Sequence, residues 1–181
     1  QVMDACADLA ALERAYIEHT DPRCTDRFSK TEQRVAYEKV NAVRRSVFCH
    51  SLTYAYRFLW GGRTEGDHDF RYVPDFYWEL DYLRCRTNRP RRHMVQVGRG
   101  YGKTELLLVT ETIQDLMYEP NSSIGAGSSD LKLSVNTVGL IKHILTSHQG
   151  LRETFPDRFW DNPNAEAEVW RSDAILLPRT A

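Results

Sequence analysis

The apolar positions divide the chain into stretches of different texture. From Met3 to His19 the residues Met3, Cys6, Leu9, Ala10, Leu12, Ala15, Tyr16 and Ile17 return every three or four positions. That spacing predicts a helix, broken at Asp21-Pro22. Glu32 to Trp60 predicts one long helix or a pair, with Val35, Tyr37, Val40, Val43, Val47, Leu52, Tyr56 and Leu59 facing inward. The polar, glycine-rich run Gly61-Gly62-Arg63-Thr64-Glu65-Gly66-Asp67 is the best linker candidate. Three regions are therefore expected: N-terminal helices over 1–60, a linker over 61–73, and a second unit over 74–181.

In that second unit the pattern alternates. Asp75 to Arg86 predicts a short helix entered through Pro74, since proline fits a first helical turn. His93-Met94-Val95-Gln96-Val97 predicts a buried strand, followed by the glycine-rich loop Gly98 to Gly102. Lys103 to Tyr118 carries Leu106, Leu107, Val109, Ile113, Leu116 and Met117 at helical spacing. Ser122 to Gly127 predicts a second strand, and Ser128-Ser129-Asp130 offers caps for a helix to about His148. Val169 to Arg171 and Ala174 to Leu177 are two further strand candidates. Strand, loop, helix, strand, helix is the order of a parallel sheet, so the expected fold class is α/β.

Composition narrows the function classes. Twenty-four Lys+Arg against 25 Asp+Glu leave a formal charge of −1, which excludes a globally basic coat for nucleic acid but not a local basic face. A 41% hydrophobic share with 11% aromatics suffices for a packed core. No apolar run approaches the roughly 18 residues of a membrane span, so no membrane role is expected. Gln1 to Leu12 has no basic n-region, and Cys6, Cys24, Cys49 and Cys85 lack C-x-x-C spacing. Both point to a reduced, cytoplasmic protein.

The chemistry-bearing segment is Val97-Gly98-Arg99-Gly100-Tyr101-Gly102-Lys103-Thr104. A P-loop reads G-x-x-x-x-G-K-[S/T]; here the first glycine falls at Gly98, one place late, and the rest fits. Gly98, Gly100 and Gly102 let backbone N–H groups around Tyr101 turn inward on a phosphate without a Cβ clash. A helix beginning near Lys103 adds its positive end to the same spot. Lys103 is then the cation for the β- and γ-phosphates of ATP, and the Thr104 hydroxyl the ligand for Mg²⁺. Arg99 is placed to neutralise charge on the γ-phosphate, or on a neighbouring subunit's nucleotide. The alternative is a glycine turn that merely joins two elements, with Lys103 and Arg99 solvated.

Arg99, Gly102, Lys103 and Thr104 match the deviant Walker A form R-x-x-G-K-[S/T], so this stretch resembles the ATPase domain of tailed-bacteriophage terminase large subunits. Three other stretches look similar: Pro74-Asp75-Phe76, Ala126-Gly127-Ser128-Ser129-Asp130, and Leu151-Arg152-Glu153-Thr154-Phe155-Pro156-Asp157. The likeness covers about Pro74 to Ala181. It implies a RecA-like P-loop NTPase core of the ASCE type, with three layers, binding ATP and Mg²⁺. It further implies a homo-oligomeric ring on the portal protein, a small terminase subunit as partner, and double-stranded phage DNA as cargo in the host cytoplasm. In the family, adenine contacts come from the segment before the P-loop, which makes Phe76 and Tyr77 candidates. A nuclease domain normally follows.

The sequence departs from that pattern downstream. A Walker B strand closed by an acidic residue is missing: Leu106-Leu107-Leu108-Val109-Thr110-Glu111 lies inside the P-loop helix, and Ala174-Ile175-Leu176-Leu177 runs into Pro178-Arg179. The expectation is a fragment of a longer motor subunit that binds nucleotide weakly and hydrolyses it poorly. Another P-loop NTPase, such as a helicase, and a non-catalytic interaction module are the alternatives.

Remaining candidates are weaker. Arg84, Arg86, Arg89, Arg91 and Arg92 concentrate charge that suits DNA phosphates or a solvated loop equally. Tyr54, Tyr56, Phe58 and Trp60 read as packing residues before an adenine-stacking face. Cys49-His50 with Cys85 and His93 lacks zinc spacing, and His143 and His148 have no nucleophile nearby in sequence.

Overall fold

The computed structural model describes residues 29–60, 80, 96, 102–125, 127 and 130–178. Its first helix, α1 (Lys30–His50), is opened by a capping box. The Glu32 amide donates to Ser29 Oγ at 3.3 Å, and the Ser29 amide donates to Glu32 Oε2 at 2.7 Å, so two end donors are satisfied reciprocally. The expected long element is a pair, divided at Ser51. Ser51 is extended (φ −115°, ψ 113°) and serves both neighbours. Its amide closes α1 on the Val47 carbonyl, and its hydroxyl accepts from the Tyr54 amide at 3.1 Å to start α2 (Leu52–Trp60).

The helix expected from Lys103 forms, with an unexpected register. Thr104–Thr110 is π-helical and runs directly into α3 (Glu111–Tyr118). Asp130 caps α4 (Leu131–Ser147), accepting from the Lys132 amide at 2.9 Å. The chain continues through α5 (Gln149–Thr154), a 3₁₀ turn at Pro156–Arg158 and the short α6 (Pro163–Glu166).

The α/β expectation is overturned. Helices make up 71% of the described residues, among which there is no strand and no sheet. Ser122 to Gly127, where a strand was expected, forms no strand in its described part. Its one large apolar side chain, Ile124, is 42% exposed. Without a buried face, a strand gains nothing to offset its ordering. Val169 to Arg171 and Ala174 to Leu177 do meet, but as a tight antiparallel turn with one bridge, Trp170 to Ile175. Two backbone bonds of 2.8 Å hold it, Arg171 N to Ala174 O and Leu176 N to Val169 O. A pair joined by so short a turn must run antiparallel, so it cannot extend a parallel sheet. Of the strand expected at 93–97 only Gln96 is described, exposed and in no strand. The helix expected over 3–19 and the linker over 61–73 lie outside the described residues. So does the Asp75 to Arg86 helix apart from Leu80, which is helical and buried.

One apolar core joins the N-terminal helices to the rest. Phe48, Leu52, Leu59 and Trp60 pack with Leu106, Val109, Ile113, Met117, Leu145, Leu151, Phe155 and Leu177. Of the residues expected inward, Val40, Val47, Leu52, Tyr56 and Leu59 are buried, whereas Val35 is 43% exposed. Tyr56 and Trp60 are buried too, and Phe58 meets Phe48 edge-on, with centroids 5.6 Å apart. These aromatics are packing residues.

Polar bonds fasten the same interface. The last carbonyls of a helix run short of intrahelical donors. Here later side chains reach two last-turn carbonyls: Gln114 Nε2 donates to Phe48 O at 2.7 Å, and His148 Nε2 meets Phe58 O at 3.0 Å. His148 Nδ1 also accepts from the Leu151 amide at 3.0 Å, capping α5. Only a neutral ring with its proton on Nε2 makes both bonds. His148→Ala should therefore cost about 1–2 kcal/mol, the range of a lost cap plus a lost long-range bond. His148→Asn, which retains a capping oxygen, should cost less; urea unfolding of the two variants checks the order.

Candidate phosphate-binding helix start

Three of the residues expected at the site are described: Gly102, Lys103 and Thr104. Gly98, Arg99, Gly100 and Tyr101 of the loop, and Phe76 and Tyr77 proposed near adenine, lie outside the described residues, as do Arg84, Arg86, Arg89, Arg91 and Arg92. Gly102 has φ 62°, in the left-handed region that a Cβ disfavours. Its carbonyl turns into the helix and accepts from the Leu106 amide at 2.9 Å. Lys103 follows at once in helical conformation, φ −62° and ψ −32°. The backbone thus passes from a left-handed glycine to a helix within one residue.

That geometry gathers positive potential. The first-turn amides of a helix point out of its N-terminal end, where the helix dipole is positive. Lys103, half-buried, stands at the same end of the helix, and Thr104 is exposed. An oxyanion such as a phosphate is the ligand this arrangement suits. Glu105, in the same turn, adds one carboxylate there. For a metal ion this turn offers the Thr104 hydroxyl and the Glu105 carboxylate, and among the described residues no group of three or more His, Cys, Asp or Glu stands together. A hydroxyl beside bound phosphates fits Mg²⁺, which keeps most of its shell as water and phosphate oxygen.

Elsewhere, an open groove of about 390 Å³ is lined by Thr146, Gln149, Arg152, Glu153, Phe159 and Asp161, among others. It includes none of the three site residues. Arg152, the cation in it, donates to the carbonyls of Leu145 and Trp160 and lies over Phe159. Cys49 is buried in the core. His148 is the cap already described, a role its isolation in the sequence did not signal, and His143 is exposed on α4. Among the described residues no helix is long and apolar enough to cross a membrane.

Sequence reasoning missed the roles of Thr110, inside this helix, and of Trp60, which reaches it from α2. Trp60 Nε1 donates to Thr110 Oγ1 at 3.0 Å, and that hydroxyl donates to the Glu105 carbonyl at 2.6 Å. No local pattern connects positions 50 residues apart. No protein-family model, curated protein or solved structure matches this chain.

Proposed function

We propose that this chain binds the phosphates of Mg-ATP at the helix start Gly102-Lys103-Thr104, as part of a terminase large subunit that packages double-stranded phage DNA. The observation that carries the reading is the left-handed Gly102 (φ 62°) leading directly into a helix headed by Lys103 and Thr104. The reading rests on this loop-to-helix junction and the R-x-x-G-K-T order of the sequence, not on a sheet. In it, the first-turn amides and Lys103 hold the phosphates, Thr104 faces the Mg²⁺, and Arg99 neutralises the γ-phosphate. Bound Mg²⁺ would supply further charge neutralisation on the phosphate oxygens. A homo-oligomeric ring, the portal protein, the small terminase subunit and the host cytoplasm belong to the same reading.

A second reading is a non-catalytic nucleotide-binding interaction module. It is favoured by the helical fold: among the described residues no strand or sheet stands behind the loop.

The deciding experiment is a titration of the full chain with a fluorescent ATP analogue and Mg²⁺, with turnover measured on the same samples. The expected result is saturable binding, displaced by unlabelled ATP and weakened by EDTA, with slow turnover. Signal that unlabelled ATP fails to displace would remove both readings. Binding with turnover that stays at background when DNA and portal are added would leave the second.

A further inference from the structure

The π-helical stretch is built by specific side chains. In an α-helix the amide of Glu111 would meet the carbonyl of Leu107; here it meets that of Leu106, five residues back. Such turns are rare, and they recur as single-turn insertions at functional sites. Helical Ser and Thr hydroxyls ordinarily bond three or four residues back. In this chain Thr137 reaches Leu133, Ser147 reaches His143 and Thr154 reaches Gly150, each four back. Thr110 instead reaches five back, to Glu105, a distance that suits the wider turn. Its oxygen also accepts from Trp60, the last residue of α2. Thr110 is completely buried and Trp60 is 3% exposed, so water replaces neither bond.

We propose that Thr104–Thr110 is a register switch, held in its π form by the hydrogen-bond chain Trp60–Thr110–Glu105, through which α2 controls the presentation of Lys103 and Thr104. Ile113 and Met117 are buried and anchor the helix beyond the insertion. Relaxation to an α register must therefore appear at the other end. It turns Lys103 and Thr104 about 100° around the axis and shifts them about 1.5 Å along it, one residue's worth of helix. The π register, which leaves Thr104 exposed beside the left-handed Gly102, is the one that receives phosphate. Any movement of α2 that withdraws the Trp60 indole then releases the register and weakens the site. The effect on nucleotide rests on the phosphate-binding reading, while the register itself does not.

The test uses the isotopically labelled full chain and trans-hydrogen-bond scalar couplings, which identify the carbonyl paired with each amide. The Glu111 amide should couple to the Leu106 carbonyl in the native protein and in Thr110→Ser, which keeps the hydroxyl. In Thr110→Val, isosteric but unable to make either bond, the coupling should move to Leu107. Trp60→Phe, which removes only the donor, should show the same move in part, and it carries the test if Thr110→Val loses amide dispersion. Coupling to Leu106 that persists in whichever of these two variants stays folded, or coupling to Leu107 in the native chain, overturns the switch. On the same samples Mg-ATP should bind about tenfold more weakly to Thr110→Val than to Thr110→Ser. A native chain that binds no Mg-ATP removes the nucleotide reading, and the couplings still decide the register.

Discussion

Lys103→Ala should bind Mg-ATP about a hundredfold more weakly than the native chain, with no measurable loss of fold. An ammonium on a phosphate makes charge-assisted bonds, each contributing about 1.5–3 kcal/mol where hydrogen bonds to charged groups are measured. Losing about 2.7 kcal/mol in total corresponds to two decades of affinity. The fold should tolerate the change, because Lys103 is only half-buried and alanine is the best helix former. Fluorescent-ATP titration of both proteins, with circular dichroism as the control, measures each part. Equal affinities would remove Lys103 from the site, and with it the phosphate-binding reading. In a packaging assay the same substitution separates the two functional readings: a motor should stop, whereas an interaction module should continue.

The largest stability loss is expected at Phe155. Its side chain is 1% exposed, meets Phe48 edge-on with centroids 5.4 Å apart, and carries the Arg45 guanidinium 5.1 Å above its ring. Phe155→Ala should cost about 3–5 kcal/mol, the usual range for deleting a buried aromatic ring. Natural domains hold only about 5–15 kcal/mol in total, so the variant should melt far earlier or fail to fold. Phe155→Leu, which refills most of the volume, should recover a large part of the loss; urea midpoints compare the three. The same residues give a physical meaning to the phrase Leu151 to Asp157. Leu151, Thr154 and Phe155 are buried under α1, and Asp157 accepts from Arg45 of that helix. The phrase is a clasp between α5 and α1.

What the sequence revealed and what it hid follow from range. The helices over 103–118 and 131–147 were legible, because apolar spacing and the Asp130 cap are local signals. The break at Ser51 was half legible, since the periodicity allowed one helix or two and the choice lay in a hydroxyl serving both. The capping box Ser29 to Glu32 is a local signal as well, a serine followed three residues later by a glutamate. The strands were misjudged for a different reason. Short runs such as Ala174 to Leu177 have β-favouring residues, but whether they join a sheet depends on partners elsewhere, and Trp170 instead packs beneath Lys142. At the candidate site only consecutive residues were predictable. The π register needs an indole 50 positions away, and no window around Thr104–Thr110 contains it.

The ties between α1–α2 and the rest are long in sequence: Trp60 to Thr110 spans 50 residues, Phe48 to Gln114 spans 66, and Phe58 to His148 spans 90. On a ribosome that separation becomes a delay. At about 5–20 residues per second, the partner of Phe58 is synthesised roughly 5–20 s after Phe58 itself. Until Leu106 and its neighbours are made, the core residues of the two helices lack most of their partners, and an isolated helix as short as α2 is marginal in water. The nascent chain thus carries the apolar faces of α1 and α2 incompletely covered, and they are sealed only once α5 has been made.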